Sequence, residues 1–426
     1  MLKFQINHQQ KGYRIAFDVP IQASILLHEE FAKIIEGLSS DENFQISTNS
    51  QMETIGISGN YNTLLKLPAK VLPSESAHLQ EEFMRQLFAS GDPISSEGLH
   101  VNFHQKPFDT PLRYWNFVLN QGHFIEYFFN RINWYSAPQS KYVLPFPLHV
   151  DLESASTCNM SCPMCYRDQL DRTGQMEFDL FKEAVDECAQ NNVFSIRLSW
   201  RGETLTHPRI KEMIAYATRK IKNVSFLTNA FYLEEDICDC LIQNQVNYVA
   251  VSFDGIEDTY EIIRHPAIFK DNYERLAKLL ELRAKAGSKL PQIRLCTIWP
   301  AIKEDPDAYR NTMSDVSDYM VYNPYINFKG PMKFKTDFIC QYPWERIVIG
   351  FDGMAQCCTG WNADDIILGN IRDISIARMW QSDQLDKIRQ MHASGERMLL
   401  NSCSNCRHGS EGDADVEICD IIDRGY

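Results

Sequence analysis

Three cysteines lie within eight residues of one another, at Cys158, Cys162 and Cys165, with the spacing C-x3-C-x2-C. Three thiolates on one loop can bind three irons of a [4Fe–4S] cluster and leave the fourth iron without a protein ligand. An open coordination position is where a metal centre does chemistry, as it is in catalytic zinc sites. With 13 cysteines in 426 residues, this spacing arises by chance in roughly 1% of such chains. The other interpretation of the three thiols is a zinc site completed by a distant ligand.

The remaining cysteines are unevenly distributed along the chain. None occurs in the first 157 residues, and six occur in the last 87. The N-terminal sequence has no basic region followed by an apolar run, so it predicts no secretory signal and a cytoplasmic location. Because thiols stay reduced in the cytosol, we expect the cysteines to bind metal or to take part in catalysis rather than to form disulfides.

The composition is that of a globular protein with an acidic surface. Hydrophobic residues make up 44% and aromatic residues 12% of the chain, and the formal net charge is -14. This charge disfavours nucleic acid and anionic membranes as partners, because no basic run offsets it. No stretch approaches about 18 consecutive apolar residues, so we expect no membrane span. The length of the chain suggests two or three domains.

Strands and helices alternate through the central part of the chain. Such alternation predicts βαβ units and a parallel sheet. Six strands are fewer than the eight of a closed TIM barrel. The predicted fold is therefore α/β, a partial (β/α)6 TIM-like barrel with its active site at the carboxyl ends of the strands. The clustered cysteines directly follow the first strand. The predicted strands lie at 148–152, 195–199, 224–227, 248–253, 293–299 and 319–328, and the predicted helices at 178–190, 209–220, 234–243 and 273–284.

The two ends of the chain differ from this central part. The N-terminal region is predicted to be a separate domain, a candidate for substrate docking, and its aromatic-rich segment 112–134 is predicted to be a helix. In the C-terminal region two short predicted strands, 347–349 and 354–356, flank Asp352-Gly353, which is a hairpin turn signal. The predicted domains are 1–145, 146–334 and 335–426.

Polar residues follow the later strands as the cysteines follow the first. Gly202 and Glu203 follow the second strand, and Asn229 follows the third. Ser252 lies near the end of the fourth strand, and Arg264 comes after that strand. Together with the cysteine triplet, this series resembles the radical S-adenosylmethionine (SAM) superfamily. The resemblance implies that the cluster held by the three cysteines binds SAM on its fourth iron. Once a flavodoxin- or ferredoxin-type donor reduces that cluster, SAM is cleaved to a 5′-deoxyadenosyl radical.

The resemblance also implies roles for single residues around SAM. Tyr166 would lie near the adenine. Gly202 and Glu203 match the Gly-Gly-Glu motif of the family, which contacts the SAM ammonium group, and Arg201 stands where the family usually has the first glycine. A carboxylate suits this contact, because it accepts hydrogen bonds from an ammonium group. The remaining roles would be Asn229 near the ribose, Ser252 at the ribose or carboxylate, and Arg264 paired with the carboxylate.

Cysteines in the C-terminal region give the pattern C-x12-G-x4-C … C-x2-C, which resembles the SPASM or "twitch" domain of the same superfamily. The resemblance implies one auxiliary [4Fe–4S] cluster, which four thiolates would ligate completely. Cys357 is an alternative to Cys358 as a ligand, and Cys419 is then spare. A zinc ribbon with four cysteine ligands is the other interpretation. The predicted ligands are Cys340, Cys358, Cys403 and Cys406.

The predicted function is removal of one hydrogen from a carbohydrate-type, other small-molecule or peptide substrate by an oxidoreductase or epimerase. Electron loss to the auxiliary cluster would give dehydrogenation or a cross-link, whereas gain of a hydrogen would give epimerisation. Cys296, on a predicted barrel strand, is a candidate hydrogen donor, although a buried core cysteine is the simpler interpretation. The alternatives are a non-catalytic iron–sulfur redox sensor and a zinc-binding scaffold.

Overall fold

A computed structural model gives the structure of most of the chain. The chain divides into two compact units, Met1–Val101 with Asp109–Gln139, and Asn102–Phe108 with Ser140–Tyr426. None of the described helices is long and apolar enough to cross a membrane. The structure describes residues 4–9, 12–35, 44–48, 54–59, 77–78, 81–82, 84–85, 94–96, 105–326, 333–360, 364–410, 417–418 and 421.

The first unit contains an antiparallel sheet with a core of aromatic side chains. The ring centroid of Phe17 lies 5.0 Å from that of Phe128 and 6.4 Å from that of Trp115. The predicted single helix over 112–134 is wrong, because the chain turns at Gly122 and His123, which both adopt positive φ. The sheet has the order β3-β4-β2-β1-β5, with β1 (Phe4–Gln9), β2 (Gly12–Asp18), β3 (Phe44–Thr48), β4 (Thr54–Gly59) and β5 (Ile94–Ser96), and the helices are α1 (Ile21–Ile35), α2 (Pro111–Leu119) and α3 (Phe124–Ser140).

The second unit is built on one large sheet. Its strands are β6 (Lys106–Pro107), β7 (His149–Leu152), β8 (Ser195–Arg197), β9 (Asn223–Thr228), β10 (Tyr248–Ser252), β11 (Gln292–Ile298), β12 (Tyr319–Asn323), β13 (Arg346–Ile349), β14 (Met354–Gln356) and β15 (Ile367–Asn370). Their order is β15-β14-β13-β7-β8-β9-β10-β11-β12-β6. The strands from β7 to β12 are consecutive and parallel, so the predicted α/β fold with six parallel strands is confirmed. Among the described residues, no strand pairing closes this sheet into a full barrel.

Helices follow the parallel strands, as the alternating pattern predicts. The first of them, over Phe178–Gln190, has the predicted bounds. The predicted helix at 273–284 is longer in the structure, because it begins at Phe269. The helices of this unit are α4 (Phe178–Gln190), α5 (Ile210–Thr218), α6 (Glu235–Gln243), α7 (Glu257–Ile263), α8 (Phe269–Lys285), α9 (Pro306–Met313), α10 (Tyr342–Glu345), α11 (Ile376–Trp380), α12 (Asp383–Ala393) and α13 (Asn401–Ser404).

The predicted C-terminal hairpin is present, and it extends the main sheet. β13 and β14 pair in antiparallel fashion, with Val348 opposite Gln356. β13 also runs parallel to β7, with Ile347 beside Val150. The turn needs Gly353, which has a φ of 85°. The C-terminal region thus supplies a strand next to the one that leads into the cysteine loop.

The two faces of the parallel sheet differ in polarity. Side chains alternate between the faces along each strand. On one face, Val150, Ile196, Phe226 and Leu295 are fully buried in an apolar core that includes side chains from the helices. The opposite face is polar, and we call it the inner face. Strand register places its residues side by side, so its charged and polar side chains are neighbours. It carries His149, Asp151, Ser195, Arg197, Tyr248, Ser252, Arg294, Cys296 and Arg346.

A buried ion cluster occupies the inner face at β7. One carboxylate oxygen of Asp151 lies 2.8 Å from Nε of Arg197 and 3.0 Å from Nε2 of His149, and the other lies 3.1 Å from Nη1 of Arg346. Burial opposes ionisation of Asp151, but the Arg197 and Arg346 guanidinium groups hold its pKa below the usual range. Burial lowers the pKa of His149 to about 4, so this imidazole is neutral near pH 7. One carboxylate therefore neutralises part of the charge of two guanidinium groups.

Candidate active site

The clustered cysteines lie on the loop that follows β7, at the carboxyl edge of the parallel sheet. Cys158, Cys162 and Cys165 are all partly buried. The pKa of Cys162 is raised to about 11, mainly by burial and also by the nearby thiols of Cys165 and Cys158, although the Arg264 guanidinium opposes the rise. The loop is held in place by the backbone N–H of Ser161, which donates to the carbonyl of His265 at 2.9 Å. The three thiols thus lie near enough to interact electrostatically, and their binding of one cluster stays a prediction.

The chemistry of these donors fits an iron–sulfur cluster. Among the residues that the structure describes, no group of three or more His, Cys, Asp or Glu side chains is arranged around a single metal ion. In a [4Fe–4S] cluster each thiolate binds a different iron, so the sulfurs need not surround one point. Metal binding also releases the thiol protons, which burial alone would retain.

Two other predicted site residues contact these thiols. The side-chain amide nitrogen of Asn229 lies 3.9 Å from Sγ of Cys158, and Nη1 of Arg264 lies 3.6 Å from Sγ of Cys162. Arg264 also forms an ion pair with Asp254, a buried carboxylate. The loop after β9 and the C-terminal end of α7 thus bring a neutral and a charged donor to the cysteine loop.

Gly202 allows the loop after β8 to pack directly on the loop after β7. A Cβ atom at Gly202 would lie 2.5 Å from the carbonyl carbon of Ser156 and from the carbonyl oxygen of Thr157, and 2.6 Å from that of Ala155. The next residue continues this contact, because the Glu203 N–H donates to the Thr157 carbonyl at 2.8 Å. A side chain at position 202 has no room unless the cysteine loop moves.

The Glu203 carboxylate connects two loops of the candidate site. It is 2% exposed. One oxygen accepts from the Leu205 N–H at 3.1 Å and the Thr228 hydroxyl at 2.7 Å, and the other accepts from the Asn229 N–H at 2.7 Å. Burial raises the pKa of Glu203 to about 7, although these three donors oppose the rise. A carboxylate has about four acceptor positions, so one remains for a further donor.

Arg201 replaces the family glycine and has its own partners. Its guanidinium donates to both oxygens of the buried Glu153 carboxylate, at 2.7 and 2.5 Å, and lies 3.8 Å from the ring centroid of Trp200. The Trp200 indole N–H donates to the Thr359 carbonyl at 2.9 Å. Sequence reasoning missed Glu153 and Trp200. The signal for Glu153 was available, since an acidic residue directly follows a buried strand.

Ser252 and Cys296 lie side by side on the inner face. They pair in the register of β10 and β11, and both are partly buried. The side-chain amide nitrogen of Gln105 lies 3.7 Å from Sγ of Cys296. Tyr166 follows the third cysteine and is partly buried, which raises its pKa, as does the nearby Cys165. These residues all lie in the second unit, and their roles at a bound cofactor stay predictions.

The predicted auxiliary ligands come together in the C-terminal region. Burial raises the pKa of Cys340 well above its usual value, and the thiols of Cys406, Cys358 and Cys403 raise it further. The Gly360 N–H donates to Sγ of Cys358 at 3.2 Å. The neighbouring Cys357 lies in the apolar core. The Cys357 thiol nevertheless raises the pKa of Cys403, so Cys358 as the ligand, with Cys357 as the alternative, stays a prediction.

Cys357 and Cys419 are the cysteines of this region outside the predicted ligand set. The thiol of Cys357 lies near the Arg389 guanidinium, which opposes the rise that burial causes in its pKa. Cys419 lies outside the described residues.

His392 contacts two of these cysteines. Its Nδ1 lies 3.4 Å from the backbone nitrogen of Cys340, and its Nε2 lies 3.5 Å from Sγ of Cys403. Burial lowers the pKa of His392 to about 4, so the ring is neutral near pH 7. Because Nδ1 accepts the Cys340 N–H, the proton of the neutral ring is on Nε2. Nε2–H therefore donates to the Cys403 sulfur.

Replacing His392 by phenylalanine should make the reduction potential of the auxiliary cluster more negative. An N–H···S bond stabilises the more negative, reduced cluster, and a bond worth ~1 kcal/mol corresponds to about 40 mV for one electron. The measurement is an anaerobic redox titration followed by electron paramagnetic resonance, in a Cys158→Ala background that removes the other signal. An unchanged potential would show that His392 does not donate to the cluster. The exposed His123→Phe serves as the control.

Two family models match the chain. Residues 152–315 match the radical SAM superfamily. Residues 340–407 match SPASM, an iron–sulfur cluster-binding domain. The two matches include all seven cysteines predicted to bind clusters. The first match contains the three-cysteine site and the second contains the four predicted auxiliary ligands, whose roles stay predictions.

Three curated relatives match parts of the chain. A Pyrococcus furiosus protein, "tungsten-containing aldehyde ferredoxin oxidoreductase cofactor-modifying protein", is 22% identical in an alignment 308 positions long that covers 60% of this chain and 86% of that protein. The Bacillus subtilis "antilisterial bacteriocin subtilosin biosynthesis protein AlbA" is 29% identical over 114 residues, 26% of this chain and 25% of the relative. The "PqqA peptide cyclase" of Rhodopseudomonas palustris is 29% identical over 115 residues, 26% of this chain and 30% of the relative.

Proposed function

Because this chain belongs to the radical SAM superfamily and carries a C-terminal SPASM domain, we propose that it reductively cleaves SAM and removes one hydrogen from an unactivated carbon of its substrate. One observation carries this proposal. The thiols of Cys158, Cys162 and Cys165 converge at the carboxyl edge of the sheet, where Asn229 and Arg264 face two of them. This edge is where α/β enzymes bind their ligands.

Side chains at this edge would bind the cluster and stabilise the negative charge on its thiolate ligands. When bound, the cluster and SAM supply a 5′-deoxyadenosyl radical that takes a hydrogen atom. Cys158, Cys162 and Cys165 would hold the cluster. The Asn229 amide and the Arg264 guanidinium would donate toward the thiolate sulfurs, and such donors stabilise negative charge on metal ligands.

Glu203 would receive the SAM ammonium group. Three donors already fix its carboxylate, and one acceptor position remains. A neighbouring cation favours the ionised carboxylate, which burial otherwise disfavours. In this proposal Gly202 positions Glu203 by close packing, Tyr166 lies at the adenine, and Ser252 donates to the ribose or carboxylate.

Oxidation of the substrate is the first candidate outcome. Cys340, Cys358, Cys403 and Cys406 would hold a second cluster, which can exchange electrons when bound. Trp200 supports this outcome, because it connects the loop after β8 to Thr359, the residue next to Cys358. A dehydrogenated or cross-linked product would be the result.

Epimerisation is the second candidate, and Cys296 is the observation that favours it. This thiol lies on the inner face beside Ser252, partly buried, rather than in the apolar core on the other face. A thiol in that position could return a hydrogen atom to a substrate carbon. A flavodoxin- or ferredoxin-type protein would supply electrons in either case.

A peptide is the first candidate substrate. Two relatives are named for bacteriocin biosynthesis and for a peptide cyclase. The relative matched over the longest segment is named for cofactor modification, so a small molecule, including a carbohydrate-type one, is the second candidate. Residues 1–145 would then be a docking domain for the larger substrate.

The test of SAM cleavage uses the anaerobically reconstituted full chain with dithionite and SAM. We expect 5′-deoxyadenosine from the wild type, and none above background from Cys158→Ala, which should also hold about four fewer irons per chain. The control is Cys240→Ala, which removes a buried thiol on α6. Equal 5′-deoxyadenosine from the wild type and Cys158→Ala would contradict the proposal and would favour the sensor.

A second measurement separates the two outcomes. In deuterated solvent, epimerisation gives a product that carries one solvent deuterium and has no net oxidation. Oxidation gives a product that lacks two hydrogens and carries no solvent deuterium at the reacting carbon. Loss of deuterium uptake in Cys296→Ala would assign the hydrogen donor.

A further inference from the structure

Most arginines around the candidate site have a carboxylate partner. A guanidinium stays charged at all accessible pH values. A buried one without a counter-ion is therefore unfavourable. The pairs in this site follow that rule, and their carboxylates are buried. They are Arg197 and Arg346 with Asp151, Arg201 with Glu153, and Arg264 with Asp254.

Arg294, by contrast, is a buried arginine of the parallel sheet without such a partner among the described residues. It is 9% exposed, and its guanidinium carbon lies 5.2 Å from the ring centroid of Tyr248. The neutral groups near it are the thiol of Cys296, with which it interacts as a hydrogen-bond donor, and the phenols of Tyr248 and Tyr319. Nε is buried and has no hydrogen-bond partner. Throughout the part of the chain that the structure describes, no carboxylate lies within ion-pair distance of this guanidinium.

The position of Arg294 places it inside the candidate site. It lies on β11, two residues before Cys296 and therefore on the same inner face. Two residues along a strand span about 7 Å. The strand runs toward the carboxyl edge that carries the cysteine loop. Arg294 is thus deeper in the sheet than Cys296 and Ser252, which lie nearer to that edge.

The chemistry of an unpaired guanidinium defines its ligand. The planar fork matches the two oxygens of a carboxylate or of a phosphate, and charge-assisted bonds of this kind are short and strong. An aromatic ring on one face of the guanidinium, here Tyr248, leaves its edge for in-plane acceptors. The missing counter-ion is therefore an oxyanion that arrives with a ligand.

We propose that Arg294 binds an oxyanion of the substrate, either a carboxylate or a phosphate. This assignment rests on the proposed function, because it concerns the substrate of the same site. An anion held at Arg294 anchors one end of the substrate deep on the inner face. The rest of the molecule then extends along β11 past Cys296 toward the carboxyl edge, where the hydrogen would be removed.

The test measures thermal unfolding of the anaerobically reconstituted, SAM-loaded full chain. Sodium phosphate and sodium acetate are compared with sodium chloride at equal ionic strength, for the wild type, Arg294→Lys and Arg294→Met. Phosphate and acetate also act on protein surfaces in general, but such effects shift all three proteins equally. We expect one anion to raise the wild-type midpoint, with half-saturation about tenfold weaker in Arg294→Lys and no specific rise in Arg294→Met.

The two anions distinguish the two sources. A rise with phosphate alone assigns a phosphorylated substrate, and a rise with acetate alone assigns a carboxylate. Without added anion, Arg294→Met should unfold at the same temperature as the wild type or higher, because it removes an uncompensated charge. A lower midpoint, with equal anion effects in the wild type and Arg294→Met, would overturn the proposal and assign Arg294 a packing role.

The outcome is independent of the test of SAM cleavage. Formation of 5′-deoxyadenosine by the wild type decides the proposed function. The anion-dependent shift of the unfolding midpoint decides the role of Arg294. If the wild type binds the anion at Arg294 but does not cleave SAM, the role of Arg294 stands and the proposed function is contradicted.

Discussion

Replacing Gly202 by alanine should remove the iron of the three-cysteine site and most SAM cleavage. The new methyl group would lie 2.5 Å from backbone atoms of Ser156 and Thr157, so one of the two packed loops must move. Overpacking typically costs about 1–3 kcal/mol, and here the obstacle is backbone, which cannot rotate away. The cysteine loop would shift relative to Asn229 and Arg264, which contact its thiols.

The measurements are iron per chain, SAM cleavage and the unfolding midpoint. Gly287→Ala is the control, because Gly287 has a φ of 63° but nothing within 4 Å of an added Cβ. That variant should lose about 1 kcal/mol of stability through backbone strain and should keep its iron. Full iron in Gly202→Ala would show that the loops have more freedom than their packing indicates.

Replacing Asp151 by asparagine should destabilise the chain by about 3–5 kcal/mol, because the buried Arg346 and the partly buried Arg197 guanidinium groups would lose their shared counter-ion. Asp151 is completely buried against Arg197 and Arg346. The comparison is the urea midpoint of the wild type and the variant under anaerobic conditions. A shift of the urea midpoint as small as the one expected for an exposed ion pair would contradict this account.

The control for Asp151 is an exposed ion pair. The side chains of Lys211 and Asp236 are 52% and 62% exposed, and pairs of this kind contribute about 0–1 kcal/mol. Asp236→Asn should therefore leave the midpoint nearly unchanged. The effect at Asp151 should also be constant from about pH 6 to 8, since its folded-state pKa is lowered and an unfolded aspartate titrates near pH 4. The stabilisation that Asp151 provides is lost only as the pH falls below the pKa of the unfolded aspartate and toward the lower pKa of the folded one.

The sequence predicted the elements of the central fold because its local patterns are strong. Alternating strands and helices produce the parallel sheet from β7 to β12, and the spacing of the cysteines identified the loop after β7. The helix predicted over 112–134 failed at Gly122 and His123, where a left-handed turn interrupts an otherwise apolar pattern. The local pattern of the hairpin at Gly353 was correct, but its pairing with β7 depends on residues about 200 positions away.

The residues that sequence reasoning missed have partners far along the chain. Trp200 donates to Thr359, and His392 lies between Cys340 and Cys403. No local pattern marks such contacts. Arg294 was missed for another reason. It stands out because no carboxylate of the described residues pairs with it, and this absence is visible only once its burial and its neighbours are known.

The separation of the two sheet faces has a consequence for how the substrate specificity of this protein could evolve. Most apolar side chains of the parallel strands point into the core, whereas the charged ones point to the inner face, which also carries Ala250, Val321 and Val348. Inner-face positions without an ion pair, such as Ala250 and Val321, lie beside Arg294 and Cys296 in the register. Both side chains are buried, so exchanges for residues of similar volume, which usually cost less than about 1.5 kcal/mol, would change the surroundings of Arg294 and Cys296 and leave the core on the other face intact.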